Sequence, residues 1–295
     1  MRSPIGWFGG KGNMTRKLLS LLPAHDKYVE VFGGGASLLF AKRPVSVEVY
    51  NDLDYGLVNF FRMLQSPEMF KQFYRRIVFV PYSRREYMDA RDWCCGHGGP
   101  NADPLEYAFR WYIVARMSFS GSWGASWSSI VTRSINNRAA TANKWQTILC
   151  ELPKIVERLL RVQIEQADWR VILERYSGTG WLAYCDPPYL HETRSEGKYL
   201  HEMSSSDHKE LIERLLAYDG VVILSGYAND IYSPLERAGW RRYDFKTACH
   251  AAGKTRASGA QGKGAALKMQ PRTETVWCSQ SKGKKTLLGV PVKQL

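Results

Sequence analysis

Short apolar, β-branched runs that alternate with helix-spaced segments constrain this chain more than any other feature. Tyr28 to Phe32 (YVEVF), Val45 to Tyr50 (VSVEVY), Val162 to Glu165, Trp181 to Cys185 (WLAYC), Val221 to Ser225 (VVILS) and Thr275 to Cys278 read as buried strands, with Arg242 to Lys246 a weaker one. Helical periodicity falls on Ala36 to Lys42, Gly56 to Leu64, Lys154 to Arg161 and Asp207 to Ala217. Strands that alternate with helices predict an α/β fold, a mostly parallel sheet covered on both faces.

The alternation lapses from about Met69 to Ile148, a stretch dense in Arg, Tyr and Trp. It holds a turn-rich patch at Cys94 to Pro104, helical spacing over Leu105 to Met117, and the Ser/Gly-rich run Ser118 to Ser129. This predicts an inserted, mainly helical domain. The expected organisation is 1–64, then an insertion at 65–153, then 154–295.

Charge is unevenly placed. From Arg241 to Leu295 there are twelve Lys/Arg against two acids, so this part carries most of the net +13. A solvated basic tail would look the same, but such density suits a polyanion, because each phosphate neutralised releases counterions. The loop-like, basic segment Ala251 to Gly264 lies within it. No apolar run approaches the roughly 18 residues of a membrane span, and Met1 to Met14 does not read as a signal peptide. A cytoplasmic setting without a membrane partner is expected. The six cysteines have no C-x-x-C spacing, and Cys94-Cys95-x-His97 lacks a second ligand pair, so ordinary thiols are expected and no metal site.

Three stretches carry chemistry. Phe32-Gly33-Gly34-Gly35 follows a strand directly, where glycines let the backbone approach a ligand, although a tight structural turn needs them equally. Asn51-Asp52 ends the next strand, and an acid there is placed to accept hydrogen bonds from ribose hydroxyls. Together they indicate an adenosine-containing ligand, either a dinucleotide or S-adenosylmethionine. The third is Asp186-Pro187-Pro188-Tyr189, delivered by an apolar strand to the sheet edge where α/β folds bind ligands. The prolines fix φ and expose carbonyls without competing N–H groups. Asp186 and the Pro187 carbonyl can then accept the two hydrogens of an exocyclic amine, turning its lone pair toward an electrophilic methyl. Tyr189 offers a face for a stacked base.

On these residues the chain resembles the Dam-like (D12 class, α-group) DNA adenine-N6 methyltransferases. Trp7-Phe8-Gly9-Gly10-Lys11 is similar to that family's N-terminal motif, Val31 to Ser37 to its glycine loop, and Asn51-Asp52 to its ribose-binding acid. Ala167-Asp168-Trp169 matches its adenine-flanking acid more loosely, and Arg272 to Cys278 resembles its last, antiparallel strand. The resemblance implies a seven-stranded Rossmann-like methyltransferase fold. It implies S-adenosyl-L-methionine as cofactor, bound by Trp7, Lys11, Phe32, Gly33, Gly34, Gly35, Asp52, Asp168 and Asp186. It further implies double-stranded DNA as partner, a flipped-out target adenine, no metal and no covalent intermediate. Expected DNA contacts are Arg116, Ser120 and Trp123 in the insertion and Lys246, Lys254, Arg256 and Lys263 beyond it. The insertion departs from the GATC-methylating members: Arg116 to Gly124 keeps only a glycine and nearby basic and aromatic residues, which does not support GATC as target. A monomer or weak dimer, of phage or other prokaryotic type, is the expected form.

Other readings are weaker. A cytosine-N4 or RNA adenine methyltransferase shares the amine chemistry, although cytosine-N4 enzymes more often have Ser in place of the Asp. A non-catalytic DNA-binding protein would not need an intact Asp186 to Tyr189, and a dehydrogenase has no use for it. Leu190 to Met203 reads as a cap over the base or as a plain surface loop, His191 and His201 as polar loop residues, and Trp111 as core.

Overall fold

The computed structural model describes residues 1–129, 134–135, 137–190, 201–248 and 271–280. Lys254, Arg256, Lys263 and His191 lie outside the described residues, as do most of the expected cap and the basic segment 251–264.

Seven strands form one sheet: β1 (Lys27–Glu30), β2 (Val47–Asn51), β5 (Val162–Glu165), β6 (Trp181–Cys185), β7 (Val221–Gly226), β8 (Arg241–Ala248) and β9 (Pro271–Cys278). A separate two-residue ribbon pairs β3 (Ser134–Ile135) with β4 (Arg138–Ala139). The sheet order is β5-β2-β1-β6-β7-β9-β8, and β9 alone runs antiparallel to its neighbours. This is the mostly parallel α/β architecture expected from the alternation, with the seven strands that the family resemblance implied. The chain leaves β1 toward β2 and later returns on the other side as β6, so the order reverses between β1 and β6. Loops diverge there and leave a crevice beyond the strand ends.

Alternate residues of each strand feed two cores. Tyr28, Tyr50, Leu182, Tyr184 and Ile223 face one way, with α2 (Ser37–Ala41), α3 (Tyr55–Gln65), α6 (Pro104–Met117) and α7 (Ala140–Leu159) over them. Val29, Val49, Ala183, Cys185, Val222 and Leu224 face the other, under α8 (Trp169–Arg175), α9 (Ser205–Ala217) and α10 (Ser233–Arg237). Every residue of β6 is buried, as a central strand covered on both faces requires.

Between β2 and β5 stand three helices that the sequence pattern marked only in part: α4 (Pro67–Ile77), α5 (Arg84–His97) and α6. Their starts are written locally. Ser66 caps α4, Ser83 caps α5 and Asp103 caps α6, with Pro67 and Pro104 at the first helical positions. Cys94 to His97 therefore forms the last turn of a helix, and the turn region begins only at Gly98. Of the segment Lys154 to Arg161, the part up to Leu159 is the end of a 20-residue helix, α7, which carries Pro153 inside it, and Leu160 and Arg161 form the turn after it. The helical periodicity over Arg84 to His97 is faint because only Tyr87, Ala90 and Cys94 are buried on a helix otherwise rich in charge. Near the N-terminus, α1 (Thr15–Leu21) is short and buries one residue, Leu18.

These helices share the sheet's core. Phe60 on α3 stacks on Tyr112 of α6 with ring centres 4.6 Å apart, Phe73 of α4 meets both, and Trp111 packs on Phe60 and Trp7. Trp111 is buried, as expected. Among the described residues no helix is long and apolar enough to cross a membrane.

Candidate active site

The C-terminal ends of β1, β2 and β6 open into one cavity of about 230 Å³. Trp7, Lys11, Phe32, Gly33, Gly34, Gly35, Asp52, Asp168, Asp186 and Pro188 all line it, so residues spread over most of the sequence meet at one place. Pro187 is buried and Tyr189 lies behind the lining.

The glycine loop is shaped by what surrounds it. A Cβ at Gly33 would fall within the ring of Tyr50, and one at Gly35 would press on Trp7 at 3.2 Å. Gly34 adopts φ +48°, left-handed backbone that glycine takes without strain, and Ala36 follows at φ 55°. The loop is tied to β2 by Gly33 N–H to the Asn51 carbonyl (2.7 Å) and by the Tyr50 hydroxyl to the Gly34 carbonyl (2.8 Å). Asp52 accepts from the Gly34 amide at 2.7 Å and from the Asp54 amide at 2.8 Å. An ionised carboxylate keeps further lone pairs for a ligand after these two bonds. Burial pushes the Asp52 carboxyl up to about 6.

Glu30, Trp169 and Arg170 also line the cavity, and the sequence reading gave none of them a role. Glu30, at the end of β1, is buried and holds Oε1 against the Tyr28 hydroxyl (2.8 Å) and the Leu39 amide (2.7 Å). Burial raises its carboxyl to about 7. Trp169 follows Asp168 and contacts Phe32, with ring centres 6.4 Å apart. Arg170 bonds Asp168, Asp207 and Glu210, at 3.2, 2.7 and 2.6 Å, and so joins α8 to α9. Inside a strand run, Glu30 gives no sequence signal that separates it from a half-buried surface acid; only its place on the sheet shows its role. Asn51 also does more than end a strand. Its amide bonds the Val31 and Ala167 carbonyls and the Ala167 N–H, which fixes the Asp168 loop beside β1.

Asp186 stands at the end of β6 with Lys11 Nζ at 2.8 Å. Burial raises the Asp186 carboxyl, Lys11 pulls it back, and Glu274 adds repulsion. Glu274 comes from the antiparallel strand β9, 3.9 Å from Lys11, and accepts the Tyr189 hydroxyl at 2.8 Å. Tyr189 is thus held on several sides, with Lys11 Nζ over its ring at 4.7 Å and Tyr227 edge-on at 4.6 Å. Next along the motif, the Pro188 carbonyl meets His208 Nε2 at 3.0 Å. His201 and Met203, from the end of the expected cap, also line the cavity.

Of the expected DNA contacts, the four among the described residues, Arg116, Ser120, Trp123 and Lys246, do not line this cavity. Arg116 ends α6 beside Gly6, and Gly121 lies against Gly6 and Trp7, so the loop carrying Ser120 and Trp123 borders the N-terminal motif. The Arg116 Nε and Trp123 Nε1 groups are buried without a hydrogen-bond partner among the described residues. Lys246 is exposed on the edge strand β8, where its carbonyl accepts from Lys17 at 3.4 Å. Among the described residues no group of three His, Cys, Asp or Glu is arranged to hold a metal ion.

Two comparisons bear on this arrangement. Residues 7–232 match the family model of D12 class N6 adenine-specific DNA methyltransferases. Over 225 residues, 72% of this chain, the sequence is 25% identical to the DNA N-6-adenine-methyltransferase of Escherichia phage P1, and it spans 28% of that protein's length. The matched span takes in Trp7, the glycine loop and the Asp186 motif, which the fold brings to one crevice. The chain belongs to the D12 class N6 adenine-specific DNA methyltransferase family.

Proposed function

We propose that this protein transfers a methyl group from S-adenosyl-L-methionine to the N6 amine of a flipped-out adenine in double-stranded DNA. The observation that carries the reading is Asp186, paired with Lys11 at 2.8 Å, in the same cavity as Gly33 to Gly35 and Asp52.

The lining suits the donor's chemistry. Glu30 and Asp52 are carboxylates sheltered from water, and such groups favour a cation and hydroxyl donors as partners. Glu30 would hold the ammonium of the amino-acid part, Asp52 the ribose hydroxyls, and Trp169 with Phe32 and Asp168 the adenine end. The glycine loop has no side chains to obstruct close approach, and Trp7 closes over it. When bound, the donor supplies an electrophilic methyl on a sulfonium.

The protein's own groups do the rest. Asp186, kept ionised by Lys11, accepts one N6 hydrogen, and the Pro187 carbonyl accepts the other, so the nitrogen lone pair leaves conjugation. Transfer of the methyl, its bond to the donor's sulfur breaking to leave a neutral thioether, would leave N6 with an extra proton, which Asp186 can receive; burial raises its affinity for that proton. The gain in rate comes mainly from positioning and electrostatics. N6 is paired inside the duplex stack, so the base must leave the helix to bring N6 to Asp186. We assign 1–64 and 154–295 to catalysis and 65–153 to target reading, with Arg116, Ser120 and Trp123 at the DNA and Lys246, Lys254, Arg256 and Lys263 on phosphates.

Incubation with tritiated S-adenosylmethionine and unmethylated bacterial DNA, followed by digestion to nucleosides, tests the reading. Label in N6-methyladenine is expected. Label only in N4-methylcytosine, or none, overturns it.

A further inference from the structure

We infer that His208 is a positioning residue of the Asp186 to Tyr189 motif: its Nε2–H holds the Pro188 carbonyl, and Tyr232 fixes the tautomer that can do so. The inference rests on the reaction proposed above. Pro187 and Pro188 have no N–H, so this stretch cannot be tied by donating into the sheet ladder. Their rings also fix φ, which leaves ψ as the remaining backbone freedom between Asp186 and Tyr189. A partner on the Pro188 carbonyl sets the ψ of Pro188 and with it the direction from the carboxylate to the tyrosine.

His208 supplies that partner. It sits in the first turn of α9, is fully buried, and places Nε2 3.0 Å from the Pro188 carbonyl. A carbonyl only accepts, so Nε2 carries the hydrogen. Nδ1 is then the acceptor and takes the Tyr232 hydroxyl at 2.9 Å. Burial lowers the basicity of the imidazole, in keeping with this neutral form. Tyr232 is itself seated on Trp277 of β9, ring centres 4.7 Å apart. The residue before His208, Asp207, bonds Arg170 at 2.7 Å, and Arg170 lines the cavity beside Asp168. One helical turn therefore holds the catalytic motif through His208 and the far wall of the cavity through Asp207.

The test compares His208→Gln, His208→Asn, His208→Leu and Tyr232→Phe. A glutamine amide can reach where imidazole Nε2 stood; an asparagine amide stops near the Nδ1 position. His208→Asn and His208→Leu are expected to lower kcat by roughly 10- to 100-fold, the scale of a misplaced reacting group, with S-adenosylhomocysteine affinity by calorimetry within about threefold of wild type. His208→Gln is expected to restore most of kcat, and Tyr232→Phe to fall between. Nitrogen-15 spectra of the wild-type protein should show His208 neutral and protonated on Nε2 at pH 7. A folded His208→Leu with wild-type kcat, a His208→Gln as slow as His208→Leu, or a ring protonated on Nδ1 overturns the inference. If His208→Leu fails to fold, the Gln and Asn variants and the wild-type spectra decide it. Absence of adenine methylation by the wild type would instead remove the proposed function, and the spectra would still test the tether.

Discussion

Lys11 Nζ lies 2.8 Å from Asp186 Oδ1, joining the ninth-tenth glycine turn near the N-terminus to a strand end 175 positions later. Lys11 is itself buried at 6% exposure and also bonds the Gly9 carbonyl at 3.0 Å, so it is a fixed charge. A buried carboxylate without a cation beside it tends to take up a proton; it is then a weaker acceptor for an amine hydrogen and can no longer receive a proton.

Lys11→Met should therefore raise the Asp186 carboxyl further. In the proposed reaction ionised Asp186 is the active form, so the acid limb of the kcat/KM profile should move to higher pH, with activity lost at pH 7 and partly recovered at alkaline pH. Methyl-transfer rates from pH 5.5 to 9 check this; an unshifted acid limb removes Lys11 from the role.

Glu30 is expected to couple cofactor affinity and stability to pH. Its carboxyl rises from 4.5 to about 7 on folding, so between these values the folded state binds more protons than the unfolded one. Stability then falls as pH rises through this window and levels off above about 7. Glu30→Gln should stabilise the ligand-free protein at pH 8 by up to ~3 kcal/mol and have little effect at pH 4.5. Cofactor affinity should increase from pH 6 to 8 in the wild type, as the carboxylate that meets the ammonium ionises, and lose this trend in Glu30→Gln. Thermal melts and calorimetry at each pH read both effects.

Gly33→Ala places a methyl where the Tyr50 ring stands. Tyr50 is fully buried and tied to the Gly34 carbonyl, so the ring cannot step aside. A loss of roughly 1–3 kcal/mol by denaturant melts is expected, as for overpacked cores, together with weaker cofactor binding. An unchanged melt with normal binding would show that the loop is not confined as described.

Trp111→Ala should act at a distance from the chemistry. Trp111 bridges Phe60 of α3 and Trp7 of the cavity wall, so its removal leaves Trp7 unsupported. A loss of about 3–5 kcal/mol in stability is expected, with reduced S-adenosylhomocysteine affinity in the protein that still folds. Retained affinity would show that Trp7 is held by the glycine loop alone.

The central strands were legible in the amino-acid sequence because each is an apolar run short enough for a strand and bounded by turn residues. The glycine loop, Asn51-Asp52 and Asp186 to Tyr189 were legible for a related reason: their chemistry is encoded within a few consecutive residues at strand ends. Lys11, Trp7 and Asp168 were named from resemblance to a family, and the structure shows what they touch. Glu30, Glu274 and His208 carried no local mark. Each is a polar residue in a strand or helix of ordinary pattern, and its role comes from a partner far along the chain: Leu39 and Tyr28 for Glu30, Tyr189 for Glu274, Pro188 and Tyr232 for His208. Helices α4 and α5 gave little pattern because their buried faces are narrow, Phe73 and Ile77 on one and Tyr87, Ala90 and Cys94 on the other, whereas α6 buries seven residues and its spacing was legible. Local sequence determines where strands end and which turns bend there, since backbone sterics and hydrogen bonding act over a few residues. Which buried charges then face each other depends on the order in which strands meet in the sheet, and only the folded chain decides that.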